Sequence, residues 1–308
     1  MKADAPAGSR PLRSRTVLDL TPRPSRTAGL ANGLIGVAIF SGSLPATRAA
    51  VGGFDPIFVT FARAAIAGLA AALALTLLRE RLPRREDLVS LAFVSFGAAI
   101  GFPLLTALAL QWTTAAHSLV FMGLLPLTTA AFGVLRGGER PRPGFWVFSA
   151  LGAATVVGYA SIHSSAGTLR SDVLMIAAVI LCGLGYAEGA VLSRRLGGWQ
   201  VISWALVLSL PLTLPIALLS TPQVWPKAPG PWIGLAYVAL FSMWIGFIFW
   251  YRGLAQGGIA AVGQLQLLQP FLGLLLAAAF LHEPIGPSII LANLIVIGCV
   301  AGARRAAI

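Results

Sequence analysis

Charged residues are scarce in this sequence. Only 10% of its 308 residues are Asp, Glu, Lys or Arg, whereas 57% are hydrophobic. The mean hydropathy is +0.84. A water-soluble fold of this length would carry far more charge on its surface. The composition therefore excludes a soluble globular protein and predicts a protein whose solvent is lipid.

Cysteines are few, and the common catalytic and nucleotide-binding motifs are absent. Cys182 and Cys299 lie inside apolar runs without metal-type spacing, so we expect neither a disulfide nor a metal site. No Walker sequence, dinucleotide-binding glycine motif or Ser/His/Asp pattern occurs. The sequence therefore favours neither an enzyme nor an ATP-driven pump, and it indicates no cofactor.

The apolar runs have the length and pattern of membrane-spanning helices. Backbone groups in hydrocarbon must be paired within the segment, and a helix needs about 20 residues to cross the bilayer. The runs lack the alternation typical of barrel strands. We predict an all-α integral membrane protein with ten transmembrane helices. The predicted helices cover approximately residues 29–49, 56–78, 88–110, 114–135, 144–163, 172–193, 200–220, 231–251, 259–281 and 286–303.

Basic residues alternate in density along these ten helices. If the N-terminus is cytoplasmic, 18 of the 22 basic residues lie in cytoplasmic segments, and only Arg48, Arg170 and Lys227 lie opposite. Because Lys and Arg concentrate in cytoplasmic connections, we expect both termini inside an inner (plasma) membrane. Residues 1–28 are predicted to be a disordered basic tail. The net charge of +12 does not indicate nucleic-acid binding, since the basic residues lie at helix ends and form no patch.

The sequence contains an internal repeat. Pro126 precedes Glu139 by 13 positions, and Pro270 precedes Glu283 by the same number, so a shift of 144 positions superposes the two pairs. The predicted copies, 29–163 and 172–308, hold five helices each. Because five is odd, the second copy enters the membrane upside down. Inverted repeats of this kind favour alternating access around a central cavity.

Several short motifs resemble the two EamA domains of the drug/metabolite transporter superfamily. They are Gly42-Ser43, Phe61-Ala62-Arg63, Gly138-Glu139-Arg140, Ser171-Asp172-Val173-Leu174, Trp250-Tyr251-Arg252-Gly253-Leu254 and Gln269-Pro270. The resemblance implies ten helices arranged as two inverted five-helix repeats around a central cavity. It also implies export of amino acids or other metabolites. We expect a monomer in the lipid bilayer with a small-molecule solute as its partner.

Polar and aromatic side chains at membrane depth are the candidate cavity residues. Ionisable groups there cost several kcal/mol, about 2.5 to 3.5 by insertion scales, so each suggests a function. The candidates are Phe40, Ser43, His117, Phe121, Tyr186, Glu188, Trp244, Gln266 and Gln269. Three alternatives stay open. His117 could form a buried structural hydrogen bond, Glu188 could pair with Arg194 or Arg195, and the glutamines could bond neighbouring helices.

A second group of residues is assigned structural or gating roles. It comprises Pro45, Arg48, Arg63, Pro126, Glu139, Pro270 and Glu283. Arg63 is expected to snorkel or to pair with Asp55. The two glutamates are expected to anchor helix ends at opposite membrane faces. Ser43 and Pro45 suggest a broken first helix, and Trp250 is expected at the membrane interface.

These features predict a secondary transporter that exports amino acids or related small metabolites across the inner membrane by alternating access. The alternative within the same class is an exporter of drug-like or cationic compounds. A less favoured hypothesis is a membrane enzyme that uses His117 and Glu188 as acid and base. Chemical conversion of a substrate would distinguish the enzyme from either exporter.

Overall fold

The structure, a computed structural model, describes residues 26–137, 142–163, 168–257 and 262–307. All regular secondary structure in this part of the chain is helical, and it contains no β-strand. Seven of its helical stretches are long and apolar enough to cross a membrane, against the ten predicted. Three further apolar stretches, Trp146–Thr155, Gln269–Leu281 and Pro287–Cys299, fall below that length. The predicted tail lies mostly outside the described residues.

The described residues of the first half form eight α-helices. They are α1 Arg26–Ser41, α2 Ser43–Val51, α3 Pro56–Leu77, α4 Leu88–Val94, α5 Phe102–Ala109, α6 Ala115–Met122, α7 Leu125–Gly137 and α8 Pro143–His163. A short 3₁₀ turn precedes α4, and a π-helical stretch, Ser95–Gly101, joins α4 to α5.

The described residues of the second half form the following further α-helices. They are α9 Thr168–Leu196, α10 Gly198–Leu219, α11 Pro229–Ala236, α12 Gly246–Gly257, α13 Gln269–Leu281 and α14 Pro287–Ala307. A second π-helical stretch, Tyr237–Ile245, joins α11 to α12, and a 3₁₀ stretch, Gln264–Leu268, leads into α13.

Three helices are interrupted near the middle of the molecule. The break between α1 and α2 falls at Gly42, two residues before Leu44-Pro45. Pro126 and Pro270 each occupy the second position of a new helix, α7 and α13. Proline lacks a backbone N–H and fits best in the first turn of a helix, so these residues favour starting a helix over continuing one. The interruptions leave backbone groups free of the ordinary helical pattern.

The helices follow the repeat identified in the sequence. A shift of 144 positions carries the first residues of α5, α7 and α8 onto those of α12, α13 and α14. It also superposes the end of one π-helical stretch on the end of the other.

The packing follows the same relation. Helix α3 packs on its counterpart α10, and α8 packs on α14. The contact of α1 with α12 is matched by that of α9 with α5. This pattern is typical of two copies related by an approximate two-fold axis.

Glycines allow two of these helix pairs to approach closely. A Cβ atom on Gly253 of α12 would lie 2.7 Å from the backbone nitrogen of Gly33 in α1. In the other half, a Cβ on Gly97, which lies in the π-helical stretch before α5, would lie 3.0 Å from the backbone nitrogen of Gly185 in α9. Such backbone contact is typical of membrane helices with small residues at their interface.

The outer surface of the bundle is apolar. Large hydrophobic side chains are exposed on it that would lie in the core of a soluble protein. Examples are Leu73, Leu77, Leu135, Ile162, Leu219, Leu275 and Phe280. Such a continuous apolar exterior indicates lipid contact.

Candidate functional site: a central pocket between the two halves

A narrow pocket lies where the interrupted helices meet. It is lined by Phe40, Ser43, Leu44, Arg63, Ala98, Phe102, Pro103, Met122, Tyr186, Ser242, Phe247 and Gln269. Both halves of the chain contribute. Its open space has room for about one water molecule. The pocket is therefore closed around its lining, and a larger solute requires the helices to separate.

A buried arginine and two serines form the polar part of the pocket. The Nη2 group of Arg63 donates to Ser242 Oγ at 3.1 Å, and the hydroxyls of Ser242 and Ser43 share a hydrogen bond of 2.7 Å. The expected pairing with Asp55 is wrong, because Asp55 instead accepts from the backbone N–H of Ile57 and caps α3. Among the described residues no carboxylate pairs with Arg63.

Two glutamines near α13 are buried with unsatisfied amide atoms. Gln269 lines the pocket, and its Oε1 has no hydrogen-bond partner within the described chain. Both amide atoms of Gln266 are likewise unpartnered there, but this side chain lies outside the pocket lining. A buried amide without a partner costs about 1 to 3 kcal/mol, so Gln269 offers an acceptor to a solute in the pocket.

Aromatic rings form the apolar wall. Phe40 lies against Tyr186, with ring centres 6.2 Å apart, and meets Phe247 edge-on at 5.0 Å. Trp250 packs behind them, 5.6 Å from Tyr186. Its predicted place at the membrane interface is wrong, because its side chain is fully buried. The wall suits an apolar group of a solute.

His117 belongs to a separate buried cluster. Its Nε2 lies 2.7 Å from Asp172 Oδ1, and the Tyr159 hydroxyl lies 3.3 Å from its Nδ1. Phe121 packs beside the imidazole, with 5.7 Å between ring centres. Neither His117 nor Phe121 lines the pocket. The cluster joins α6, α8 and α9. This agrees with the alternative in which His117 forms a buried structural hydrogen bond.

Two other candidates also lie elsewhere. Glu188 on α9 forms an ion pair with Arg136 of α7, so the expected partners Arg194 and Arg195 are wrong. The reason is geometric: neighbouring helices bring Arg136 to Glu188, while Arg195 pairs with Asp87. The Trp244 indole donates to Ser203 Oγ at 2.9 Å and lines a different groove.

Glu283 anchors a helix end, as predicted for a structural residue. Its two carboxylate oxygens accept from the backbone N–H groups of Ala115 and Ala116, at 3.0 and 2.9 Å. These are orphan donors at the start of α6. Arg48 similarly donates to the backbone oxygen of Leu110 at 2.5 Å. Glu139 lies outside the described residues.

The sequence reasoning missed several lining residues, of which Ser242 and Phe247 matter most. Both lie on the stretch from Tyr237 to Gly257. This stretch is mainly apolar and contains a single serine, so it gave little sign of a polar site. The repeat could have helped to find Ser242, because the 144-position shift relates it to Ala98, and both residues line the pocket.

Comparison with known proteins gives the family. The sequence profile of the EamA-like transporter family matches twice, over residues 27–160 and 169–304. The chain belongs to the EamA-like transporter family. It is therefore a multi-pass membrane transporter, and the two matches correspond to the two halves that enclose the pocket.

Two relatives of this EamA-like chain illustrate its neighbourhood. The "Uncharacterized transporter YdeK" of Bacillus subtilis is 63% identical over 280 residues, which cover 91% of this chain and 98% of that protein. The "Probable terminal-alkyne amino-acid exporter" of Streptantibioticus cattleyicolor is 24% identical over 251 residues, covering 80% and 83%.

A solved structure described as "Crystal structure of protein" shares the fold of this EamA-like transporter. The TM-score is 0.67 at 20% identity, and the match covers 92% of this chain and 99% of that chain. At this level of identity the likeness concerns the fold alone.

Proposed function

We propose that this EamA-like transporter exports amino acids or related small metabolites across the inner membrane by alternating access. The observation that carries the proposal is the central pocket, which receives side chains from both halves and combines a polar cluster with an aromatic wall. Such a lining suits a small solute with one polar and one apolar end. The name of the Streptantibioticus relative supports the same solute class.

Alternating access needs two packings of similar energy. Ten helices in two inverted repeats would supply them, since each half would meet the same contacts in opposed settings. The helix breaks and the two π-helical stretches lie beside the pocket, and such irregular segments are frequent hinge positions. In this account the narrow pocket corresponds to a closed state, and the Glu283 anchor is one of the contacts released on opening.

The pocket disfavours export of cationic compounds. Among the lining residues that the structure describes, only Arg63 has a charged side chain and none is acidic. A solute cation would meet a like charge in a medium of low dielectric constant. The enzyme hypothesis loses its support as well, because His117 contacts Asp172 whereas Glu188 pairs with Arg136, so the two side chains have separate partners.

Counterflow in proteoliposomes tests the proposal. Vesicles containing the purified full chain are preloaded with one unlabelled amino acid and diluted into a trace of the labelled form. We expect uptake above that of protein-free vesicles for amino acids with apolar side chains. The same assay with and without a pH gradient separates facilitated from proton-linked transport. Absence of counterflow for every amino acid would refute amino-acid export.

A further inference from the structure

Arg63 is a buried arginine for which the described residues supply no counter-ion. Its side chain is 3% exposed, and its Nε atom has no hydrogen-bond partner within the described residues. Ser242 takes a single hydrogen bond from Nη2 and brings no negative charge. A buried ion without a counter-ion is strongly destabilising, whereas one that meets a bound anion is compensated.

The repeat argues that helix packing does not require this arginine. The 144-position shift relates Arg63 on α3 to Val207 on α10, and these two helices pack against each other. At the equivalent position of the other half, an aliphatic side chain is therefore sufficient for helix packing. The charge is a feature of the first half alone.

The other polar lining residues show the same one-sided pattern. The shift relates Ser43 to Ala187, Ser242 to Ala98 and Gln269 to Leu125. Arg63, Ser43, Ser242 and Gln269 thus each have an apolar counterpart. The related positions of the other half therefore do not repeat these polar groups.

We infer that Arg63 binds the carboxylate of the transported solute. The guanidinium offers a planar edge, and its free Nε together with Nη2 matches the two oxygens of a carboxylate. The unpartnered Gln269 Oε1 accepts from the solute's ammonium group, and the rings of Phe40 and Phe247 enclose its apolar side chain. The solute class is a zwitterionic amino acid with an apolar side chain. This inference rests on the proposed function and specifies its binding chemistry.

The test compares three probes that differ only in their charged groups. L-leucine carries both groups, L-leucinamide lacks the carboxylate, and 4-methylpentanoate lacks the ammonium. Each is added to the purified wild-type protein, and binding is read from the shift in thermal unfolding temperature. We expect stabilisation by L-leucine, weaker stabilisation by 4-methylpentanoate and none by L-leucinamide. Equal stabilisation by L-leucine and L-leucinamide would overturn the inference without any variant.

Two substitutions locate the effect at Arg63. Arg63→Gln should weaken L-leucine binding about 10- to 100-fold, the range for losing a charge-assisted pair of hydrogen bonds. Arg63→Lys should recover only part of it, because an ammonium group lacks the planar edge. Arg84→Gln is the matched control, since Arg84 is exposed in the segment before α4. It should bind L-leucine as the wild type does.

The outcomes separate this inference from the proposed function. Wild-type counterflow of L-leucine that Arg63→Gln leaves intact would overturn only the role of Arg63. Binding of 4-methylpentanoate that depends on Arg63, without counterflow of any amino acid, would support the carboxylate site and refute amino-acid export. If no carboxylate binds the wild-type protein, both fall. Gel filtration and the Arg63→Lys data exclude misfolding as the cause of a loss.

Discussion

Single carboxylates hold helix ends in this protein. Glu283 follows α13 and accepts from two backbone N–H groups at the start of α6, so one side chain fixes the relative position of two interrupted helices. The start of a helix carries partial positive charge, which strengthens hydrogen bonds to an anion there. Both helices contribute residues to the pocket. The Glu283 contact therefore stabilises the arrangement of helices in which the pocket is closed.

Replacing Glu283 by Gln should therefore lower stability. The amide keeps one acceptor but loses the charge and the second carboxylate oxygen, at a cost of about 1 kcal/mol. Thermal unfolding in detergent measures the change. Glu86→Gln serves as the control, because the Glu86 carboxylate makes only exposed ion pairs. Equal unfolding temperatures for the two variants would contradict the anchoring role.

The contact between His117 and Asp172 offers a second residue-scale prediction. The two side chains are buried and 2.7 Å apart, so either one left alone loses a strong partner. We expect His117→Gln and Asp172→Asn to destabilise the protein individually, and the double variant to cost less than their sum. A double-mutant cycle should give a coupling free energy of about 1 kcal/mol or more. Strict additivity would show that the contact contributes nothing.

The residue-scale site was only partly predictable. Phe40, Ser43, Tyr186 and Gln269 were singled out because polar or aromatic groups at membrane depth are unusual, and all four line the pocket. The hydrogen-bond partner of Arg63 and the ion-pair partner of Glu188 could not be predicted from the sequence. Both depend on which distant helix lies alongside, and separation along the chain carries no information about that. Local preference explains why Asp55 caps its own helix.

At the scale of helices, glycine spacing decides how closely two elements approach. On α1 and α12 the glycines face each other, and a Cβ on Gly253 would lie 3.0 Å from both Gly29 O and Gly33 Cα. The backbone of the partner helix cannot move aside as a flexible side chain could. A crossing of this kind is rigid, and it holds α1 next to the pocket that its C-terminal end lines.

Gly253→Ala should destabilise the protein by about 1 to 3 kcal/mol, the usual cost of overpacking. Gly298→Ala provides the matched control, because a Cβ at Gly298 meets no atom within 4 Å. In a helix without a close neighbour, Ala is favoured over Gly by about 0.5 to 1 kcal/mol. The two variants should thus change unfolding temperature in opposite directions. A stabilising effect at Gly253 would contradict the close crossing.

Helices were more predictable than their irregularities. The predicted span at 56–78 corresponds to α3, Pro56–Leu77, because an apolar run bounded by Asp-Pro and by charges has clear ends. The two π-helical stretches were not foreseen. Hydropathy depends on side chains alone, so it does not indicate where the backbone hydrogen-bond pattern of a helix changes. The predicted break in the first helix was easier, since glycine and proline act on the backbone directly.

For the whole molecule, the two halves share a structural plan but differ in chemistry. Counterpart helices pack on each other, yet the 144-position shift relates Arg63, Ser43, Ser242 and Gln269 of the pocket to apolar residues. The shared plan favours two interchangeable conformations. Under the binding proposed for Arg63, this difference in chemistry would orient a solute with unlike ends.

The inverted arrangement makes a prediction about the membrane sides of two exposed segments. Arg84 lies before α4 and Lys227 before α11, the counterpart of α4 under the 144-position shift. If the copies are inverted, these equivalent segments lie on opposite sides of the membrane. The charge distribution predicts that Arg84 lies in the cytoplasm and Lys227 outside.

Single-cysteine variants test this directly. Arg84→Cys and Lys227→Cys are made in a background with both native cysteines replaced by Ala, and intact cells are treated with a membrane-impermeant maleimide. We expect Lys227→Cys to react at once and Arg84→Cys to react only after permeabilisation. The two sites control for each other, since both are exposed to solvent in the folded protein. Labelling of both from the same side would rule out inversion. A parallel pair of copies would then present only one face of the pocket to each side of the membrane, and alternating access by exchange of equivalent contacts would no longer follow from the repeat.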